Sequence, residues 1–254
     1  MSLARTAIID STLGVISSNL VMQIDPGNTY SYSGSGVTCF NIAANPSDDN
    51  QLFNGVGFTG VDGWTSFIFD GTNDHLDVFI PNLANVCTVE LWARITSFST
   101  RMLFSWDYYS VYLSGAMGFN TGNSDLYGIS SATVSSLGLL NNWKQYVFIM
   151  YADFISPTYM NNSIYVNGQY QTFNTGPGGF GMASQNINFS TERGTANSKG
   201  WGSANIGCWK NSSNTSGALF TPMRLGLFRF YNRALTSEEI LQNFNSTKSR
   251  FNIA

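Results

Sequence analysis

What most constrains this chain is the repeated alternation of short apolar runs with turn signals, against a scarcity of helical periodicity. Ser163-Ile164-Tyr165-Val166, then Asn167-Gly168, then Gln169 to Phe173 is the clearest unit. Asn-Gly accepts the left-handed backbone of a type I′ turn, so this spacing predicts a β-hairpin. The run from Cys87 to Ile95 alternates with period two. That places Cys87, Val89, Leu91, Ala93 and Ile95 on one face and Glu90, Trp92 and Arg94 on the other. Further strands are predicted at Leu20 to Ile24, Ser66 to Phe69, Leu76 to Ile80, Trp143 to Tyr151, Ala204 to Trp209 and Leu225 to Tyr231. Met102 to Trp106, Val111 to Leu113 and Met117 to Phe119 read as a meander. Many short strands divided by turns predict a sandwich or barrel.

The last strand feeds a well-signalled helix. Thr236 suits an N-cap, and Glu239 three residues on suits the reciprocal half of a capping box. Leu235 and Ile240 are spaced for a hydrophobic staple. Lys248 and Arg250 fall toward the C-terminal end, where the macrodipole favours cations. A helical clasp on a β-structure is the expected ending.

Composition narrows the function classes. Charged residues make up 11% and aromatics 15% of 254 residues, which argues against disorder and against long helices. A net charge of -3 gives no electrostatic footprint for nucleic acid. No apolar run is long enough to span a bilayer, and the first twenty residues lack the apolar core of a signal peptide. Cys39, Cys87 and Cys208 are odd in number and far apart, which fits neither zinc nor a disulfide framework and suits a reducing cytosol. The expected organisation is an arm over residues 1–19 and one domain over 20–254.

A series of turn and strand motifs begins with Leu20 to Asn28, Ser31 to Gly36 and Phe69-Asp70-Gly71-Thr72-Asn73-Asp74. Val89-Glu90-Leu91-Trp92, Ile164 to Gly168 and Asn205-Ile206-Gly207 follow, and Phe230 to Leu235 leads through to Phe251. In this order they resemble a concanavalin A-like, laminin-G-like jelly roll, in particular the versions found in structural proteins of tailed phages and other large viruses. Two departures are Cys39-Phe40, where related sequences carry a Trp, and an insertion from Gly176 to Gly200. The resemblance implies an all-β antiparallel sandwich with a short C-terminal helix. It further implies a virion location after synthesis in the host cytoplasm, with other virion proteins as partners and, by analogy, a homotrimer.

Four functions compete. Glycoside hydrolysis needs two carboxylates flanking one bond. The chain has four Glu, with Glu90 alone on its strand, Glu192 in the insertion, and Glu238 and Glu239 at the helix start. The lone His75 has no visible nucleophile beside it. A non-enzyme is expected. Glycan binding needs ring faces backed by amide and carboxylate groups. Its candidates are Trp106, Tyr108, Tyr109, Trp201 and Trp209, with core or inter-subunit packing as the competing reading. A structural calcium has Asp70, Asn73, Asp74 and Asp77 as candidate oxygen ligands, although the same residues are ordinary turn formers. The expectation that joins these readings is a non-catalytic surface subunit of a virus particle, a capsid decoration or a tail or fibre component with adhesion to cell-surface glycans. The alternative is a stand-alone carbohydrate-binding module of a cell.

Overall fold

A computed structural model describes residues 14–43, 50–60, 65–80, 86–106, 109–120, 127–151, 162–175, 203–210 and 217–253. Tyr108, Trp201, the insertion and most of the N-terminal arm lie outside these residues. Strands numbered along the chain build two antiparallel sheets around one core. In the first sheet the spatial order is β14 (Gln169–Gln171), β13 (Ser163–Val166), β12 (Trp143–Tyr151), β7 (Val86–Ile95), β19 (Met223–Tyr231), β5 (Ser66–Phe69) and β4 (Gly57–Thr59). The strand β1 (Leu20–Ile24) also pairs with β19. The second sheet starts with β15 (Asn174–Thr175), β11 (Tyr127–Ile129), β10 (Met117–Asn120), β9 (Ser110–Leu113) and β8 (Arg101–Ser105). It continues through β16 (Ser203–Ile206), β6 (His75–Phe79), β3 (Asn50–Phe53) and β2 (Thr38–Cys39). A small hairpin, β17 (Trp209–Lys210) with β18 (Gly217–Ala218), stands apart. The sequence expectation of an all-β antiparallel sandwich with a short C-terminal helix holds.

Strand β7 shows how the pattern becomes layers. Cys87, Val89, Leu91, Ala93 and Ile95 all enter the core between the sheets, as their alternation requires. On the other face Glu90 and Trp92 are buried as well. What covers them is the C-terminal helix (Ser237–Thr247) and the 3-10 turn Lys248–Phe251, which cross the outer face of the first sheet. Trp92 stacks on Phe251 at 4.3 Å and on Phe244 at 5.8 Å between ring centroids. Trp143 and Leu227 complete this second, outer cluster.

The helix starts as its sequence signals. Glu239 N–H donates to the Thr236 hydroxyl at 3.3 Å, and Thr236 N–H donates to the Glu239 carboxylate at 2.9 Å. Leu235 and Ile240 pack in one apolar cluster, as a staple should. Arg233 holds Glu239 through two bonds of 2.6 and 2.7 Å. Arg250 grips Asp25 in the same bidentate manner at 2.7 and 2.6 Å, so its principal partner is a carboxylate on the loop after β1.

Between clasp and sheet lies a buried polar network. The Glu90 carboxylate accepts from Arg229 at 3.1 Å, Gln145 at 2.9 Å and Asn243 at 2.8 Å. Arg229 also donates to Gln23 at 3.1 Å, and Gln145 accepts from Gly168 N–H at 3.0 Å. A carboxylate withdrawn from water needs this full set of donors. Asn243 accepts from Ile16 N–H at 2.9 Å, and Tyr231 donates its hydroxyl to the Ile16 carbonyl at 3.0 Å. Ile16, just before β1, is thus tied by its backbone to the helix and to β19.

Candidate functional site

The aromatic residues picked from sequence as sugar platforms are mostly interior. Trp106 is 1% exposed and packs edge-on against Phe104 at 4.9 Å and Phe230 at 6.2 Å. Tyr109 is fully buried, donates its hydroxyl to the Tyr151 carbonyl at 3.2 Å and accepts from Asn162 at 2.7 Å. Burial pushes its phenol well above the ordinary range. The expectation that Trp106 and Tyr109 offer stacking faces is corrected: both rings fill the core. Trp209 is half-buried on the small hairpin and remains a surface candidate. Tyr108 and Trp201 lie outside the described residues.

The expected calcium ligands are not brought together. Asp70 accepts from the N–H groups of Thr72 at 2.7 Å and Asn73 at 3.3 Å. Those backbone bonds hold its carboxyl below the usual aspartate range. Asp74 accepts from Asp70 N–H at 3.1 Å, and burial raises its pKa. Asp77 sits on β6 facing away from the core. It binds Lys210 at 2.8 Å and Asn205 at 2.6 Å. Lys210 in turn lies 4.7 Å over the Phe53 ring, which stacks on His75 at 4.9 Å. Among the described residues no three His, Cys, Asp or Glu side chains gather to hold a metal ion. The calcium set of Asp70, Asn73, Asp74 and Asp77 is therefore corrected to a self-contained turn plus an ion pair.

A candidate site among the described residues lies at one end of the first sheet's outer face. Here the loop before β12, the β13–β14 turn and the residues after the 3-10 turn converge on an open groove of about 660 Å³. Three of its lining residues, Asn141, Asn167 and Asn252, have left-handed backbones with φ of 61°, 51° and 52°. Asn tolerates that conformation better than other side chains, so three separate turns each select it. Their convergence lines the groove with amides. Asn142 adds a fourth, donating its Nδ2 to the carbonyls of Gly138 at 3.0 Å and Leu140 at 3.2 Å.

Two cations join them. Arg94 reaches the groove from β7, its Nε donating to the Asn141 carbonyl at 2.8 Å. Lys144, from β12, is half-buried, and that burial lowers its pKa. Among the described residues no carboxylate lines the groove. Trp143 and Phe251 supply its apolar surface, and Trp143 Nε1 is a buried donor without a hydrogen-bond partner. An unmade bond of this kind costs about 1–3 kcal/mol. Trp92 Nε1 is also unpartnered, so an orphaned indole alone marks nothing. Trp143 also lines the groove, although its Nε1 is itself buried. The arrangement can donate hydrogen bonds, accept them through amide oxygens and attract negative charge. Among the described residues its lining holds no carboxylate, imidazole, thiol or hydroxyl side chain.

Comparison with known proteins speaks to the fold. No protein-family model and no curated protein sequence matches the chain. Solved structures do match. The binding domain of botulinum neurotoxin serotype D/C superposes with a TM-score of 0.56 at 11% identity, covering 91% of this chain and 52% of that one. The binding domain of botulinum neurotoxin DC in complex with SialylT gives 0.57 at 10% identity, with the same coverage of 91% and 52%. The receptor-binding domain of the C/D mosaic serotype gives 0.56 at 10% identity, covering 90% and 51%. This chain thus spans about half the length of the structures it resembles. Their likeness shows a shared β-sandwich architecture and, at such identity, nothing finer.

Proposed function

We propose that this protein is a non-catalytic glycan-binding module. The observation that carries the reading is the groove beside Trp143: convergent amides, cationic residues and ring edges around open space, with no carboxylate among the described lining residues. Sugars are recognised by such mixtures of planar hydrogen-bonding groups and apolar surface. The shared architecture adds support, since one structure of this shape is a binding domain in complex with SialylT. The absence of catalysis is supported by where the carboxylates go. Glu90 is locked to Arg229, Glu239 to Arg233, and Asp77 to Lys210. None of them leaves a pair flanking a bound sugar, as hydrolysis needs. The test is a glycan array probed with the full chain, followed by calorimetry on the hits and on Asn141→Ala and Asn252→Ala. Saturable binding weakened by these substitutions is expected; binding that ignores them removes the groove from the reading.

We further propose that the module sits on a virus particle, as a decoration, tail or fibre subunit, because the order of its sequence motifs resembles such proteins. Quantitative mass spectrometry of purified particles tests this. Hundreds of copies relative to the major capsid protein indicate a decoration, and a few dozen or fewer indicate a tail or fibre. Absence from particles overturns the placement and leaves a cellular binding module.

A further inference from the structure

Away from the groove, one ion pair differs in kind from the others. Arg229, Arg233 and Arg250 hold the other paired carboxylates among the described residues, and a guanidinium stays protonated. Asp77 is held by a lysine, whose amine becomes a nucleophile once it gives up a proton. Lys210 Nζ donates to both Asp77 oxygens, at 3.0 Å to Oδ1 and 2.8 Å to Oδ2. A planar carboxyl group gripped at both oxygens leaves its carbon roughly 3–3.5 Å from the amine, the separation of a near-attack pair. The two residues are only 8% and 3% exposed.

The surroundings supply what an amide-forming step needs. Strand alternation puts His75 and Asp77 on one face of β6, with Phe53 opposite His75 on β3 and Asn205 opposite Asp77 on β16. Asn205 Nδ2 donates to Asp77 Oδ1 at 2.6 Å, which draws electron density away from the carboxyl carbon. His75 Nδ1 lies 2.9 Å from the Asn73 carbonyl, and a carbonyl only accepts, so Nδ1 carries the hydrogen. Nε2 then holds the lone pair, 3.6 Å from the same Oδ1, where it can take a proton and return it. Lys210 Nζ sits 4.7 Å over the Phe53 ring, which stacks on His75 at 4.9 Å. These rings keep water, which would reverse the step, away from the carboxyl group.

We propose that Lys210 and Asp77 join in a self-catalysed isopeptide bond. One Nζ proton passes to Oδ1, leaving a neutral amine beside a carboxylic acid. The amine lone pair attacks Cγ, and the Nζ–Cγ bond forms. A second Nζ proton travels through His75 Nε2 to Oδ1, the Cγ–Oδ1 bond breaks, and Oδ1 departs as water. Oδ2 remains as the amide oxygen. The ammonium and carboxylate charges vanish together, and no other reactant is consumed. The gain is a neutral amide in place of two charges withdrawn from water, an expensive arrangement. The product ties β6 to the β17–β18 hairpin across 133 residues of chain.

The test is the intact mass of the full chain, measured under denaturing conditions. The proposal requires a mass one water below that of the sequence, and a branched peptide joining the Asp77 and Lys210 segments after proteolysis. Lys210→Arg keeps the charge pair without the nucleophile and should restore the full mass. His75→Gln should slow the loss, so that freshly made protein shows both masses. An unaltered mass in the folded wild-type chain after prolonged incubation overturns the proposal. So does a water loss that persists in Lys210→Arg, since Asp70-Gly71 can also shed water by closing a succinimide. A loss of ammonia with Lys210 joined to Asn205 overturns the choice of Asp77 as electrophile.

Discussion

The outer face of the first sheet has two ends that treat the same kinds of residue in opposite ways. Under the clasp, Glu90 and Arg229 are buried charges with every donor and acceptor spoken for. At the open end, on the same two strands, Arg94 and Arg224 face each other with no acid between them. Trp92 is sandwiched by Phe244 and Phe251, whereas Trp143 touches Phe251 on one side and open space on another. One end closes its electrostatics within the chain; at the other, Arg94 and Arg224 hold no carboxylate among the described residues.

That contrast can be broken most forcefully at Glu90. Glu90→Leu leaves Arg229 buried without its counter-ion, and urea denaturation should show a loss of about 3–5 kcal/mol. The double variant with Arg229→Met should recover much of it. A loss below about 1 kcal/mol would mean the closed end is not held by charge pairing.

Next in size is Gly226→Ala. A Cβ there would run into the Phe251 ring and come within 3.1 Å of Trp143 Cζ3. Such overpacking costs about 1–3 kcal/mol and should shift the melting temperature down. It would also disturb the groove by way of Trp143 and Phe251, which makes it the one change expected to touch both ends.

The clasp's own signals come third. Thr236→Ala removes the N-cap and should cost about 1 kcal/mol in thermal or chemical unfolding. The paired Glu239 has a carboxyl lowered from its ordinary 4.5, first by the Arg233 bond and then aided by the Thr236 N–H. A lowered folded value stabilises above the ordinary one and loses that contribution as pH falls through the folded value. The acid limb of the stability profile, below about pH 4.5, should therefore flatten in Glu239→Gln.

The smallest effect belongs to the open end. Lys144→Gln should change stability by no more than about 0.5 kcal/mol, because no ion pair is lost. A large loss there would show that the open end is structural after all.

Much of this fold is legible in the sequence because its signals are local. Asn167 and Gly168 take φ of 51° and 76°, as a type I′ turn demands, and β12 runs from Trp143 to Tyr151 as its apolar pattern predicts. Thr236 and Glu239 form their box from adjacent chemistry alone. Assignments fail where a partner lies far along the chain. Asp77 looks like part of the turn at Asp70, yet strand alternation between Leu76 and Val78 aims it outward to Lys210, 133 residues away. Trp106 and Tyr109 sit in a polar-looking cluster, but their rings meet Phe230 and Asn162. The groove was not legible at all. Its residues come from β7, the loop before β12, a hairpin turn and the C-terminal residues, and each has its own local reason to be there. The one available signal was the set of Asn at turn positions, which marks turns without saying that they meet.

The position of β19 also governs how the molecule is made. It lies at the middle of the first sheet, flanked by β7 on one side and β5 and β1 on the other, yet it follows every other described strand in the chain. Arg229 meets Glu90 across 139 residues, and Ile16 meets Asn243 across 227. A growing chain can pair β12 with β7 and β13 early, but β7 keeps an unpaired edge, and its Trp92 face stays wet, until the C-terminal segment leaves the ribosome. Contacts of such long range are closed slowly, after a large loss of chain freedom. Chains released before β19 would therefore display a raw strand edge beside an uncovered aromatic face, the combination that draws chaperones and aggregates.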